Sequence, residues 1–448
     1  MASMKQHPTV VRFYERTELQ APSDHKQSFD ANRLRQMCLD AGAEDVGFVS
    51  INRPEVVDQR DDILLALPAT KTLISFVCRM NREPVRSPLR SIANAEFHSA
   101  GDRVDDVGNA LVTQLERQGV RALYPTVGFP MEVQHFPGKT WVISHKPIAV
   151  AAGLGQMGIH RNVIHPKFGN FILLGTILVD AEVEVEHHPI DYNPCLECKL
   201  CVAACPVGAI SPEGDFNFTA CFTHNYREFM GGFNDWVTTV VESKSAQEYR
   251  EKFTDGETAS MWQSLSFKAN YKAAYCMAVC PAGEDVIAPF LTNRPNYLQD
   301  VVKPLQNKVE TLYVIPGSDA EAYAQRRFPH KHVKQVGSGI RVNSIHSFLS
   351  NLSLAFQPNK AKDLNATYHF TFTGAEERNA TITIQNQTVT VSEGHQGTAD
   401  LQIQADSQTW VGFLQKERNL LWAIIRRKIR VKGPLKLMAA FGRVFATG

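Results

Sequence analysis

The stretch Cys195 to Ile210, CLECKLCVAACPVGAI, sets Cys195, Cys198, Cys201 and Cys205 in the order C-x2-C-x2-C-x3-C, with Pro206 next. Thiolate is a soft ligand, and three cysteines this close can wrap three corners of an iron–sulfur cubane. Zinc sites of structural type use paired C-x2-C knuckles with a wider gap between the pairs. Three consecutive short spacings ending in proline therefore favour iron and sulfide. The chain has nine cysteines, and seven of them lie between Cys195 and Cys280, with Cys221, Cys276 and the Cys280–Pro281 pair completing the group. Clustering of this kind in a chain with no expected disulfide framework points to metal.

The run is the one that bacterial ferredoxins use, and its fourth cysteine there turns to a second cluster. By that logic Cys195, Cys198, Cys201 and Cys280 hold one cluster, while Cys205, Cys221 and Cys276 belong to the other. Two clusters with thiolate at every corner need eight cysteines, one more than this region has. A complete second run would place a cysteine three residues before Cys276, where the chain has Ala273. Three outcomes are open: a [4Fe-4S] cluster with a non-cysteine ligand, a three-iron cluster, or a cubane with one open iron. His224, in CFTHNYREF, is the nearest candidate substitute.

The elements that position these thiols are legible in part. DANRLRQMCLDAGAEDVGFV reads as a helix and then a strand, with Leu34, Met37, Cys38 and Ala41 on one face and Gly42 closing the helix. Cys38 is read as a core residue, and so is Cys78 at the end of the strand-like TLISFVC. RVDDVGNALVTQLERQG repeats the helical pattern, and FILLGTILVD reads as a core strand. Gly153, Gly155 and Gly158 follow G-x-G-x-x-G, but an Ala-rich helical segment precedes them where a dinucleotide site needs a strand. They imply a sharp bend or a close approach.

The expected fold class is multidomain α/β and α+β. The units are an α/β domain over 1–180, a ferredoxin-like domain over 181–300, a connector over 301–340 and a Cys-free α+β domain over 341–448. The last contains the alternating ATYHFTFTG, the hairpin-like ATITIQNQTVTV and the strand ADLQIQA, followed by helices. A formal net charge of +1 gives no basic excess of the kind nucleic-acid binding uses. No apolar run reaches the roughly 18 residues of a membrane span, and the N-terminal residues lack the layout of a signal peptide. The expected location is the cytoplasm. The four Asn-x-Ser/Thr sequons, at Asn351, Asn365, Asn379 and Asn386, are accordingly read as chance occurrences.

Taken together, the opening helix and strand, AAGLGQMGIHRNVIHPKFGNFILLGTILVD, the full cysteine run, Cys221 and CMAVCP resemble epoxyqueuosine reductase and the corrinoid reductive dehalogenases over roughly residues 30 to 290. The resemblance implies a nitroreductase-like α/β domain that holds base-off cobalamin, joined to a double-cubane ferredoxin domain. It implies that Gly153, Gly155, Gly158 and His160 line the corrinoid, with His165 flanking the same loop. Electrons from a donor such as a ferredoxin or flavodoxin would then pass through two clusters to cobalt. The reductases carry an acidic proton donor where this chain has Lys139, and the Tyr and basic neighbour of the dehalogenases have no evident match. Lys139, His145 and Tyr124 are the nearby polar candidates for catalysis.

Residues from about 344 to 445 are similar to the sterol carrier protein type 2 fold, through FLSNLSLAFQPNKAKDLNATYHFTFTG, TADLQIQADSQTWVGFLQKE and RRKIRVKGPLKLMAAFGRVF. That resemblance implies a curved sheet around an apolar tunnel for a lipid or acyl chain, with Trp410, Phe413, Leu414, Leu421, Trp422, Leu437 and Phe441 as candidate lining. The tail gathers Arg426, Arg427, Lys428, Arg430, Lys432 and Lys436, a solvated face or an attraction to anionic membrane or an acidic ligand. The expected function is an iron–sulfur oxidoreductase acting on a small or lipid-like substrate. The alternative is an electron-transfer or redox-responsive lipid-binding protein without a corrinoid.

Overall fold

A computed structural model describes residues 4–17, 28–128, 131–133, 141–183, 187–415 and 417–445. Its first sheet runs Asp45–Ser50, Thr72–Arg79, Ile172–Val179, Ala122–Leu123 in spatial order, each neighbour antiparallel. The apolar runs TLISFVC and ILLGTILV are near-continuous because helices cover both faces of this sheet. Ile74, Phe76, Cys78 and Ile177 pack on the helices Ala31–Asp40 and Arg90–Arg117. Leu73, Val77, Leu174 and Leu178 pack on the opposite side against the helix His145–Ala151. Cys38 and Cys78 are core residues, and burial pushes each thiol up to about 12.

Asp30 caps the helix Ala31–Asp40 by accepting from Arg33 N at 2.7 Å, and Gly42 leaves it at φ 109°. Asp45 then anchors the following strand, accepting from Arg35 at 2.6 Å and from His165 Nε2 at 2.9 Å. Burial works against the Asp45 carboxylate, but the bonds from His165, Arg35 and the Val46 N–H outweigh it and bring the group down to about 2. Because the folded value lies below the ordinary 3.8, the stabilisation is fully present above that pH and is lost as pH falls through about 2. Asp45→Asn is expected to cost about 2 kcal/mol at neutral pH. Urea unfolding measured between pH 7 and pH 2 should show the difference from wild type closing at the acid end.

The second unit is built from short helices around the cysteines, with the helices Gly231–Glu242, Ala246–Lys252 and Asp255–Phe267 inserted between Cys221 and Cys276. Residues 301–340, expected as a connector, are instead folded. Thr311–Val314 pairs in parallel with His332–Gln335, and Asp319–Arg327 is the helix between them. Leu312, Val314, Ala320, Ala324 and Phe328 bury themselves against Cys205, Val207 and Ala209. A segment with that many apolar contacts is part of the core that seats Cys205.

The C-terminal sheet has the order Thr388–Glu393, Arg378–Gln385, Ala366–Thr373, Leu401–Asp406, Ile429–Lys432, with its third and fourth strands parallel. Tyr368, Phe370 and Phe372 alternate onto the buried face, where they meet Phe348, Trp410 and Phe441. Asn386 and Gln387 both adopt positive φ, 50° and 59°, in the two-residue turn of the hairpin. No helix among the described residues is long and apolar enough to cross a membrane.

Candidate metal centre

Two local backbones carry the cysteines. The first leads from Cys195 through Glu197 and Lys199, at φ 47° and 62°, into the short helix Leu200–Ala204 that holds Cys201. Those left-handed residues curl the chain so that cysteines spaced by two residues face a common centre. Asn193 Oδ1 fixes the start of the curl by accepting from Cys195 N at 2.9 Å. The second backbone repeats the same device: Ala274 at φ 57° opens the short helix Tyr275–Ala278 that holds Cys276. Cys201 and Cys205 correspond to Cys276 and Cys280, each pair closed by proline, and Ala273 stands where the first copy has Cys198.

Cys195, Cys198, Cys201 and Cys280 line one cavity together with Ile159 and His160. Cys280 thus joins the first three from a segment 79 positions beyond Cys201. Among the described residues no three of His, Cys, Asp or Glu are gathered tightly enough to hold a single ion.

Cys205, Cys221 and Cys276 form the second group. Cys221 and Cys276 are half-buried. Burial pushes the Cys276 thiol up to about 12, with the Cys205 charge adding to it. Cys201 is likewise raised to about 12 by burial and then by Cys276, so the two groups adjoin. Thiols in such a place keep their protons unless cations sit among them, and iron supplies that charge. Around Cys205 the backbone helps: Ala209 N donates to its Sγ at 3.2 Å, and the N–H groups of Val207, Ile210 and Gly208 also favour thiolate. Hydrogen bonds to cluster sulfur are one of the levers that set potential.

Residues 188–211 match the 4Fe-4S binding domain, and residues 351–446 match the SCP-2 sterol transfer family. The protein named epoxyqueuosine reductase from Lactococcus garvieae is 22% identical over 236 residues, covering 52% of this chain and 58% of that protein. Its namesake from Staphylococcus aureus is 36% identical over 84 residues, covering 19% of this chain and 22% of that one. The chain resembles epoxyqueuosine reductase. It spans little more than half the length of the Lactococcus protein. A solved epoxyqueuosine reductase structure from Streptococcus thermophilus overlaps 66% of this chain and 80% of that one at 15% identity, with a TM-score of 0.35.

Within this epoxyqueuosine reductase-like chain, the sequence candidates outside the cysteines take other places. Gly153 and Gly155, at φ 75° and 155°, approach protein: a Cβ there would meet His188 O at 2.5 Å and Ile164 O at 2.4 Å. A Cβ at Gly158 would strike Ile164 and His160. The three glycines serve the hairpin Gln156–Met157 / Val163–Ile164. His160 is buried on the wall of the first cysteine cavity, and its Nδ1 accepts from Asn162 N. His165 is committed to Asp45.

Tyr124 donates its hydroxyl to Asp105 at 2.8 Å, and its ring fills the space over Gly108. Burial and that carboxylate raise its pKa. His145 bonds Thr176 Oγ1 through Nδ1 at 3.0 Å, and burial lowers it to about 4, so it is neutral at pH 7. Lys139 lies outside the described residues.

His224 does not supply the missing ligand as it stands. Its Nδ1 accepts from Tyr313 N at 3.3 Å, which places the proton on Nε2, a buried atom with no hydrogen-bond partner among the described residues, and ligation through Nε2 would require losing that proton. Burial lowers it to about 4, and the charges it senses are Glu310 and lysines, not the cysteines.

Three residues beside the second group were not singled out from the sequence. Lys146 holds its ammonium on Arg161 O and Asn162 Oδ1, each at 2.8 Å, where Cys276 and Cys221 partly offset the lowering of its pKa by burial. Tyr226 meets Tyr271 edge-on at 5.6 Å, and both phenols are raised by burial. Nothing in their spacing marks them, because the fold alone brings 146, 226 and 271 together.

In the C-terminal unit Trp410 and Phe441 are packed into the core, and Phe413, Leu414 and Leu437 are half-buried. Leu421 and Trp422 correct the expected lining: they are 69% and 59% exposed. The helix Leu420–Ile425 is short and buries only Ala423, so its larger side chains face outward.

Proposed function

We propose that this protein is a cytoplasmic iron–sulfur oxidoreductase. One cluster is held by Cys195, Cys198, Cys201 and Cys280, and a second by Cys205, Cys221 and Cys276. The observation that carries this reading is the cavity shared by Cys280 and the first three cysteines, beside the group of Cys205, Cys221 and Cys276. The clusters supply single-electron transfer. The chain's own residues seat them, exclude water and set their potential through the amides at Cys205 and the ammonium of Lys146. A ferredoxin or flavodoxin is the donor this arrangement suits.

Cobalamin is the acceptor that the resemblance to epoxyqueuosine reductase suggests. The loop Gly153–Gly158 does not fit as its cradle, since its glycines are spent on protein contacts. Epoxyqueuosine, which the relatives' name carries, is the first substrate to assay, beside lipid-like compounds at the C-terminal unit. The engaged states of Tyr124 and His145 favour a second reading, electron transfer without turnover.

The test is anaerobic reconstitution with iron, sulfide and cobalamin, followed by metal analysis, visible absorption and cobalt EPR. The expected result is about seven to eight irons per chain; retained base-off cobalt would add a corrinoid acceptor held by residues other than the loop Gly153–Gly158. Protein that keeps the iron and binds no corrinoid supports electron transfer alone. Colourless protein containing zinc removes the proposal.

A further inference from the structure

Large apolar side chains on a protein surface are ordinary when scattered and informative when gathered. Leu421, Trp422 and Ile425, on the helix Leu420–Ile425, are 69%, 59% and 69% exposed, and Leu435 just beyond is 71% exposed. An outward Trp beside Leu and Ile is costly in water.

Along the chain that carries them the charge is one-sided, although Asp406 on the neighbouring strand lies near Lys428. From Asn419 to Phe445 the chain has no Asp or Glu and seven basic residues, Arg426, Arg427, Lys428, Arg430, Lys432, Lys436 and Arg443, every one of them exposed. Among the described residues none of the seven is in an ion pair of 4 Å or less. Arg426 places its guanidinium over the Trp422 ring at 5.7 Å, so cation and aromatic share one patch. Arg427, at φ 57°, turns the chain directly after the helix and leads into the strand Ile429–Lys432.

We infer that this patch docks on an anionic lipid bilayer, with Leu421, Trp422 and Ile425 entering the headgroup boundary and the basic side chains meeting lipid phosphates. The charge selects the partner. A second copy would bring seven more cations to the same interface, and a neutral protein would leave these unpaired, whereas an anionic leaflet pairs them. Apolar residues rimmed by Lys and Arg are the composition of interfacial anchors. The inference does not depend on the clusters or on any corrinoid.

The full chain is sedimented with vesicles of phosphatidylcholine alone and of phosphatidylcholine with phosphatidylserine. Binding is expected with the anionic vesicles only and should weaken as salt rises. Arg426→Glu/Arg427→Glu/Lys428→Glu should lower the partition coefficient by about 100-fold or more, at roughly tenfold for each 1.4 kcal/mol and about 1 kcal/mol per basic residue. Leu421→Ser/Trp422→Ser/Ile425→Ser should weaken binding without altering the salt dependence. Both variants change exposed side chains only, and circular dichroism checks their folding. As an independent readout, vesicles should shift tryptophan emission to the blue in wild type and far less in Trp422→Phe. Equal binding to neutral vesicles, no loss in the variants, or a dimer in solution that the variants break while vesicles go unbound would each overturn the inference.

Discussion

Ala273→Cys is expected to raise the iron content from about seven to about eight per chain and to abolish the EPR signal of an oxidised three-iron cluster. The two cysteine segments repeat one backbone: a left-handed residue, Lys199 or Ala274, opens a short helix with Cys201 or Cys276 near its start, and Cys205 or Cys280 follows before proline. In the first copy the residue before the left-handed one is Cys198, a cavity-lining thiol; in the second it is Ala273. Ala273 is 5% exposed and packs in the same apolar cluster as Cys198. By this repeat a thiol at 273 is expected to face the second group as Cys198 faces the first. Iron and sulfide analysis of wild type and variant, with EPR before and after reduction, reads the result directly. An unchanged count with full folding would show that the second cluster takes its fourth ligand elsewhere.

Cys280→Ser is expected to have the largest effect on the fold. Cys280 is the residue through which the second segment closes on the cavity of Cys195, Cys198 and Cys201, and its thiol is buried and raised further by the charges of Cys198 and Cys201. Cluster binding is folding free energy in such a site, because the ligands are brought together only in the native chain. Losing one corner should remove about half of the iron and lower the anaerobic melting temperature by about 10 °C or more for a loss of several kcal/mol. Cys38→Ser is the control. That thiol is equally buried in the α/β core, so its substitution should destabilise without releasing iron. If Cys280→Ser retains all its iron, the pairing of the two segments is wrong.

Much of this centre was legible in the residues themselves. Thiolates hold iron through chemistry that tolerates little variation in spacing, so Cys195, Cys198, Cys201 and Cys205 announced their partners before any fold was known. Periodicity also sufficed for the helix Ala31–Asp40, the strand Ile172–Val179 and the alternating Tyr368, Phe370 and Phe372. These features are local, and local geometry follows from side-chain order.

The rest depended on approach between distant segments. The glycines at 153, 155 and 158 needed close contact, as expected, but only the packed chain showed that the contact is with His188 and Ile164. Residues 301–340 looked like a connector because a strand-like TLYVIP and a basic RRFPHKHVK stand side by side there, yet Leu312, Val314, Ala320, Ala324 and Phe328 find places against Cys205 and its neighbours. His224 had the right type and position, and a single backbone bond from Tyr313 put the proton on the wrong nitrogen. Lys146, Tyr226 and Tyr271 carry no motif at all. Residue type and spacing thus determined which metal the chain can hold, while tertiary packing decided which polar groups stand beside it, because desolvation and hydrogen-bond partners are properties of the assembled interior.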